Sequence, residues 1–246
     1  MSKQPEREVA SAKAAENNPN KKINFQVSEA YKMIRTNLLF ALSTTDNRTV
    51  VFSSAEPGVG KSTLSGNLAI VMAQTGAKVV LVDADMRKPS QHRNFRVSRS
   101  LGLSKILGGL NTLDECLCRD VKPNLDVITA GSIPPNPSEL LGSSRMQELL
   151  AELQERYDYV FVDVPPLCVV ADALVVAPAT AGVVLVARCR QTTYDELSNA
   201  IENVHQADVP LLGVVMTCVE QEVRGYRSRY YRSYDYAYRE SGKRNG

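Results

Sequence analysis

The chain has 246 residues, 43% of them hydrophobic and 23% charged, with a formal net charge of +2. That length and apolar content suit one well-buried α/β domain, since two compact domains would each lack a full sheet. The near-neutral balance is too small to argue for nucleic acid or an anionic membrane as the main partner, which would need a local patch, and no apolar run approaches the roughly 20 residues that cross a bilayer.

Residues 1–24 lack hydrophobic periodicity and read as a disordered lead-in, polar and alanine-dotted rather than a signal peptide. A cytoplasmic chain is the resulting expectation. From Val27 to Leu42 the apolar residues Ala30, Met33, Ile34, Leu38 and Ala41 keep a helical period. Strand-like runs then recur at 49–53, 78–83, 125–129, 158–163, 181–187 and 211–217, mostly separated by helix-like segments. This alternation predicts an α/β fold with right-handed crossovers and a mostly parallel sheet, spanning residues 25–219.

The first strand-like run leads into Ala55-Glu56-Pro57-Gly58-Val59-Gly60-Lys61-Ser62-Thr63, and a helix-like run follows it. A glycine-rich turn between strand and helix is where a phosphate-binding loop must sit. Gly58 and Gly60 permit the tight turn that aims backbone N–H groups at phosphates, and Lys61 adds a mobile cation. The hydroxyl of Ser62 is placed to hold Mg²⁺. The leading glycine of the general pattern is replaced by Ala55. The next strand ends in two alternating carboxylates, Asp83 and Asp85, and the strand at 158–163 ends in Asp163. Ligands of open α/β sheets bind at such strand tips, and carboxylate oxygens there suit a Mg²⁺-nucleotide. The plainer reading of each Asp is a cap on the turn or helix that follows it.

Between these strands, Gly131 to Glu139 breaks regular structure with three prolines and offers Ser138 as an N-cap for a helix through Leu153. Val164-Pro165-Pro166 fixes the direction in which the chain leaves Asp163. Cys116, Cys118, Cys168, Cys189 and Cys218 form no C-x-x-C pair and read as reduced, mostly buried residues. The segment 220–246 reads as a flexible tail, with six of the ten tyrosines within thirteen positions: Tyr226, Tyr230, Tyr231, Tyr234, Tyr236 and Tyr238. Such a tail could stack on single-stranded nucleic acid, remain a solvated appendage, or accept phosphate. Six phosphates would add roughly −9 to −12 charges and reverse its sign.

Taken together, Ser-x-x-Pro-Gly-x-Gly-Lys-Ser-Thr from Ser54, Val-Asp-x-Asp-x-Arg-Lys-Pro from Val82, Pro-Pro-Asn-Pro-Ser-Glu-Leu-Leu from Pro134, Asp163-Val164-Pro165-Pro166 and the tyrosine cluster occur in one order. In this the sequence resembles the bacterial tyrosine kinases over residues 25–240, and more closely the stand-alone kinase subunits of capsule and exopolysaccharide systems. The resemblance implies a P-loop NTPase-like fold and an ATP- and Mg²⁺-dependent autokinase that phosphorylates its own tail in trans. It implies that Gly58 to Thr63 bind the nucleotide, that Lys61 holds the phosphates, and that Ser62, Asp85 and Asp163 hold the metal ion. Asp83 is then the expected base, although Asp83 and Asp85 could exchange roles.

Family members form a ring through an E-x-x-R-x-x-R helix motif, matched here by Glu29, Lys32 and Arg35 on one helix face. Lys32 departs from that motif, and an ammonium cannot reproduce a guanidinium's bidentate pairing. Thr217 stands where related P-loop proteins place an Asn near the adenine, without an amide to offer. The resemblance also implies a membrane-spanning activator that recruits the kinase to the inner face of the cell membrane, and a cognate tyrosine phosphatase; nucleic acid is not an expected partner. A partitioning or division-site ATPase and a catalytically silent scaffold are the alternatives. The former would carry a lysine where this chain has Glu56.

Overall fold

Strands apolar on both faces are satisfied only between two layers of helix. The computed structural model describes residues 19–219 and shows this arrangement. β1 (Thr49–Ser54), β2 (Val79–Asp83) and β5 (Tyr159–Asp163) are buried along their whole length. With β3 (Leu117–Lys122), β4 (Leu125–Ile128), β6 (Gly182–Arg188) and β7 (Leu211–Thr217) they form a seven-stranded sheet in the order β3-β4-β2-β5-β1-β6-β7. All neighbours run parallel except β3 and β4.

The helices are α1 (Pro19–Ala41), α2 (Lys61–Ala73), α3 (Gln91–Phe95), α4 (Leu103–Leu107), α5 (Leu113–Cys116), α6 (Pro137–Leu141), α7 (Ser144–Arg156), α8 (Asp172–Val176) and α9 (Tyr194–Gln206). Side chains alternate along each strand between the two faces. Val50, Phe52, Leu81 and Phe161 therefore pack against Leu64, Leu68 and Met72 of α2 and Leu38 of α1. Val51, Val82, Val160 and Val162 meet Leu149, Leu150 and Leu153 of α7, with Ala200 and Val204 of α9 in the same layer. α1 is tied to α2 by polar contacts as well: Asn67 Nδ2 donates to Tyr31 Oη at 3.0 Å, and Arg35 Nη1 donates to Val71 O at 3.1 Å.

Topology places the site. β5 lies between β2 and β1, so the C-terminal tips of these three parallel strands are adjacent. Register then sets Asp163 opposite Asp83 on one side and Phe52, three residues before the phosphate-loop candidate, on the other.

Several expectations change. α1 begins at Pro19, inside the segment read as a lead-in. An unforeseen antiparallel strand, β3, covers the sheet edge beside β4. The helix expected from Ser138 through Leu153 is two helices, α6 and α7, and Asn136 rather than Ser138 occupies the N-cap position, with Pro137 as the first helical residue. All five cysteines are free, but only Cys116 is buried, while Cys168 and Cys218 are exposed. Among the described residues no helix is long and apolar enough to cross a membrane. The six clustered tyrosines, Tyr226 to Tyr238, lie outside the described residues.

Phe161 is wholly buried and meets Phe52 edge-to-face, with ring centroids 5.0 Å apart. Phe161→Ala should cost about 3–5 kcal/mol, whereas Phe40→Ala, at a position 72% exposed, should change stability by less than about 0.5 kcal/mol. Urea denaturation of the two variants checks this.

Candidate nucleotide site

Two glycines shape the turn after β1. Gly58 and Gly60 have φ of 82° and 94°, in the left-handed region that side chains avoid. Gly60 is the N-cap of α2, so Lys61 begins the helix and the first backbone N–H groups of α2 point out of the sheet. Ala55, in place of the leading glycine, is buried and has no positive φ, so the substitution strains nothing. The loop is braced from three sides. Ser54 Oγ donates to Glu56 O at 2.8 Å, Arg188 Nη1 to Gly58 O at 3.1 Å, and Thr217 Oγ1 to Val59 O at 2.6 Å. The hydroxyl of Thr217, read against an adenine-binding amide, is thus spent on the loop backbone. Glu56 accepts from Thr192 Oγ1 at 2.9 Å and faces its own chain.

Lys61 lies 7% exposed among oxygens: Asp163 Oδ1 at 2.5 Å, Ser62 Oγ at 3.3 Å and Asp85 Oδ2 at 3.8 Å. These three groups were expected to share one metal ion, and they converge here on one ammonium. An all-oxygen set with few carboxylates suits Mg²⁺, which keeps several waters, better than an ion held in a full protein cage. Among the described residues no group of three or more His, Cys, Asp and Glu is placed to hold a metal ion. Thr63 follows Ser62 on the exposed side of the first turn, while Val59 is buried beneath the loop.

Asp83 and Asp163 are both wholly buried. Asp83 Oδ2 accepts from the backbone N–H groups of Ser90 (3.0 Å) and Gln91 (2.9 Å), capping the start of α3, as the plainer reading of this residue required. Its Oδ1 has no partner. Burial, reinforced by the charge of Asp163, pushes the Asp83 carboxyl up to about 7. Asp85 differs: Oδ1 accepts from Lys88 N–H at 2.9 Å and Oδ2 faces Lys61.

Two contributors escaped the sequence reading. Gln91, wholly buried, donates from Nε2 to Asp163 Oδ2 at 2.7 Å. Asp172, also wholly buried, takes Arg87 in a bidentate pair (2.9 and 3.1 Å) and accepts from Ser138 Oγ at 2.5 Å. Ser138 therefore joins the loop after Asp85 to α8 instead of capping a helix. Arg87 and Ser138 stood inside quoted motifs, but Gln91 and Asp172 carry no spacing signal. Away from the site, Glu29 and Lys32 pair with each other on the surface at 2.7 Å, and Arg35 turns inward to α2.

Backbone amides aimed by two left-handed glycines, beside one cation, suit the phosphates of a nucleotide. Fold and site together define a P-loop nucleotide-binding protein. The AAA domain family matches residues 47–210. Tyrosine-protein kinase YwqD of Bacillus subtilis is 41% identical over 189 residues, 77% of this chain and 80% of YwqD. Putative tyrosine-protein kinase EpsB of Ralstonia solanacearum is 41% identical over 219 residues, 87% of this chain but only 29% of EpsB. The solved kinase domain of Escherichia coli tyrosine kinase ETK is similar at a TM-score of 0.74 and 39% identity, covering 79% of this chain and 78% of that one. The chain belongs to the bacterial tyrosine-protein kinase family.

Asp83 carries a pH signature. Its folded-state pKa of about 7 stands above the ordinary 3.8, so the folded protein keeps a proton there that the unfolded chain releases. Ionising Asp83 therefore costs stability as pH rises from about 4 to 7. Asp83→Asn removes that cost and should melt roughly 2–6 °C above wild type at pH 8, with the advantage shrinking toward pH 4. Calorimetry without nucleotide or Mg²⁺ measures it, and a variant less stable than wild type at pH 8 would refute it.

Proposed function

We propose that this chain is an ATP- and Mg²⁺-dependent protein-tyrosine kinase whose acceptors are its own C-terminal tyrosines, Tyr226, Tyr230, Tyr231, Tyr234, Tyr236 and Tyr238. The observation that carries the proposal is the convergence of Lys61, Ser62, Asp85 and Asp163 beside a carboxylate with an unpartnered oxygen. Gly58 to Thr63 cradle the phosphates. Lys61 leaves Asp163 for the phosphate oxygens, which frees Asp163 Oδ1. Ser62, Asp85 and Asp163 would hold Mg²⁺, the carboxylates through water, and the ion when bound neutralises charge on the transferring phosphates.

Asp83 is the better base than Asp85, because both oxygens of Asp85 face donors whereas Asp83 Oδ1 faces none. It takes the phenolic proton as the tyrosine oxygen bonds to the γ-phosphorus. The bond from that phosphorus to the β-bridging oxygen breaks, and ADP departs with the electron pair. Since Asp83 is wholly buried, an acceptor reaches it only after the surrounding residues move. Catalysis here is positioning plus electrostatic stabilisation of in-line transfer.

Transfer runs in trans, within a ring whose contacts include Glu29, Lys32 and Arg35. A membrane-spanning activator draws the cytoplasmic kinase to the inner face of the cell membrane, a tyrosine phosphatase resets it, and phosphorylation regulates capsule or exopolysaccharide synthesis and export. These roles rest on the motif resemblance.

Mass spectrometry after incubation with Mg²⁺-ATP should place phosphate on the six tail tyrosines of the wild type. Lys61→Met should lower transfer at least about 100-fold, and replacing the six tyrosines by Phe should remove the acceptors while leaving the melting temperature unchanged. Tail phosphate persisting in pure Lys61→Met protein would overturn the proposal. Hydrolysis of ATP without any phosphotyrosine, even with the activator's cytoplasmic segment supplied, would instead assign a positioning ATPase.

A further inference from the structure

We propose that Gln91 is the positioning residue of this site, holding Asp163 in the one orientation that presents Oδ1 to the metal-nucleotide. The proposal rests on the reading of the site as a Mg²⁺-nucleotide site. Asp163 has two oxygens with separate partners: Oδ1 meets Lys61 at 2.5 Å and Oδ2 meets Gln91 Nε2 at 2.7 Å. Lys61 has to leave when phosphates arrive, but nothing in that exchange calls Gln91 away. The amide contact then remains as the side-chain hydrogen bond that keeps the Asp163 carboxylate from turning.

The amide is itself fixed. Nε2 lies among three acceptors, Asp163 Oδ2, Ser62 O at 3.0 Å and Ser65 Oγ at 3.2 Å, while Oε1 accepts from Asn94 Nδ2 at 3.0 Å. With two hydrogens, Nε2 serves two of these acceptors at a time, and only this amide orientation keeps an N–H on Asp163 Oδ2 while Oε1 faces Asn94. The side chain also occupies a slot on α2 that exists because residue 66 is glycine, where a Cβ would stand 3.3 Å from Oε1. From the same residue the backbone N–H goes to Asp83. One residue thus spans the metal-side carboxylate, the acceptor-side carboxylate and the first turn of α2. Groups that fix the partners around a metal ion commonly govern metal affinity by 10–100-fold when removed, and Gln91 would do so for a carboxylate that holds the ion through water.

Gln91→Met keeps the length and the backbone N–H and removes only the amide. Calorimetric titration of the full chain with ADP, first in EDTA and then at stepped Mg²⁺, separates positioning from folding. The Mg²⁺ concentration at half-maximal enhancement of ADP binding should rise about tenfold, with ADP affinity in EDTA unchanged. Asn94→Ala, a change on the exposed side that unfastens the amide and gives up one long contact with Ser62 O at 3.4 Å, should move the same midpoint in the same direction and serves if Gln91→Met does not fold. An unmoved midpoint in either folded variant, or equal loss of ADP affinity with and without Mg²⁺, would overturn the proposal. Failure of the wild type to bind ADP with Mg²⁺ would overturn the nucleotide reading itself, a separate result.

Discussion

Lys61 against Asp163 is the contact on which the active end of the sheet depends. A carboxylate with no exposure costs several kcal/mol unless a partner and further hydrogen bonds replace its water. Asp163 gets both, from Lys61 and Gln91. Yet Lys61 stands alone among three carboxylates, Asp83, Asp85 and Asp163, in a space only 7% open at its most exposed members. Burial, with repulsion from Asp163, raises the Asp83 carboxyl, and the excess of carboxylates over ammonium makes a second cation welcome. In the proposed function, a nucleotide arriving with its metal ion would bring the missing charge and give Lys61 a new partner.

The strand tips hold this arrangement because the sheet's register leaves little freedom. Asp83 and Asp163 are paired residues of neighbouring strands, and a one-residue slip would turn either to the opposite face of the sheet. Buried valines and leucines on both faces resist such a slip. The phosphate loop is held from the other side by Arg188 and Thr217, at the ends of β6 and β7. Strands with no acidic tip therefore still serve the site.

What could be read from the sequence was what repeats or clusters. Apolar runs located β1, β2, β4, β5, β6 and β7, and the Gly58-x-Gly60-Lys61-Ser62 turn with Asp83, Asp85 and Asp163 pointed to the candidate site, whose residues the fold brings together. β3 escaped because Leu117 to Lys122 is an edge strand of half-buried and exposed residues, without an apolar run to announce it. Ser138 was misread because a serine after prolines has the chemistry of a cap, whereas its hydroxyl is claimed by Asp172, 34 residues further along. Gln91 has no periodic signal at all. A buried polar side chain is defined by its partners, and the acceptors of the Gln91 amide N–H groups lie 26, 29 and 72 residues away. The cysteines were placed by the usual burial of thiols, a preference that loop positions such as Cys168 do not obey.

The contact of Arg35 with Val71 has a consequence for how assembly and nucleotide could communicate. α2 is a 13-residue helix, roughly 20 Å long at 1.5 Å per residue. Its first turn presents Lys61 and Ser62, and its last turns grip α1 through Asn67 and Val71. Whatever engages α1 and whatever engages the phosphate loop thus act on one helix, at its second half and at its first turn. Linkage then imposes a symmetry: if nucleotide alters the affinity of one copy for another by some factor, association must alter nucleotide affinity by that same factor. A single helix suffices as the lever, with no chain of rearrangements between the two events.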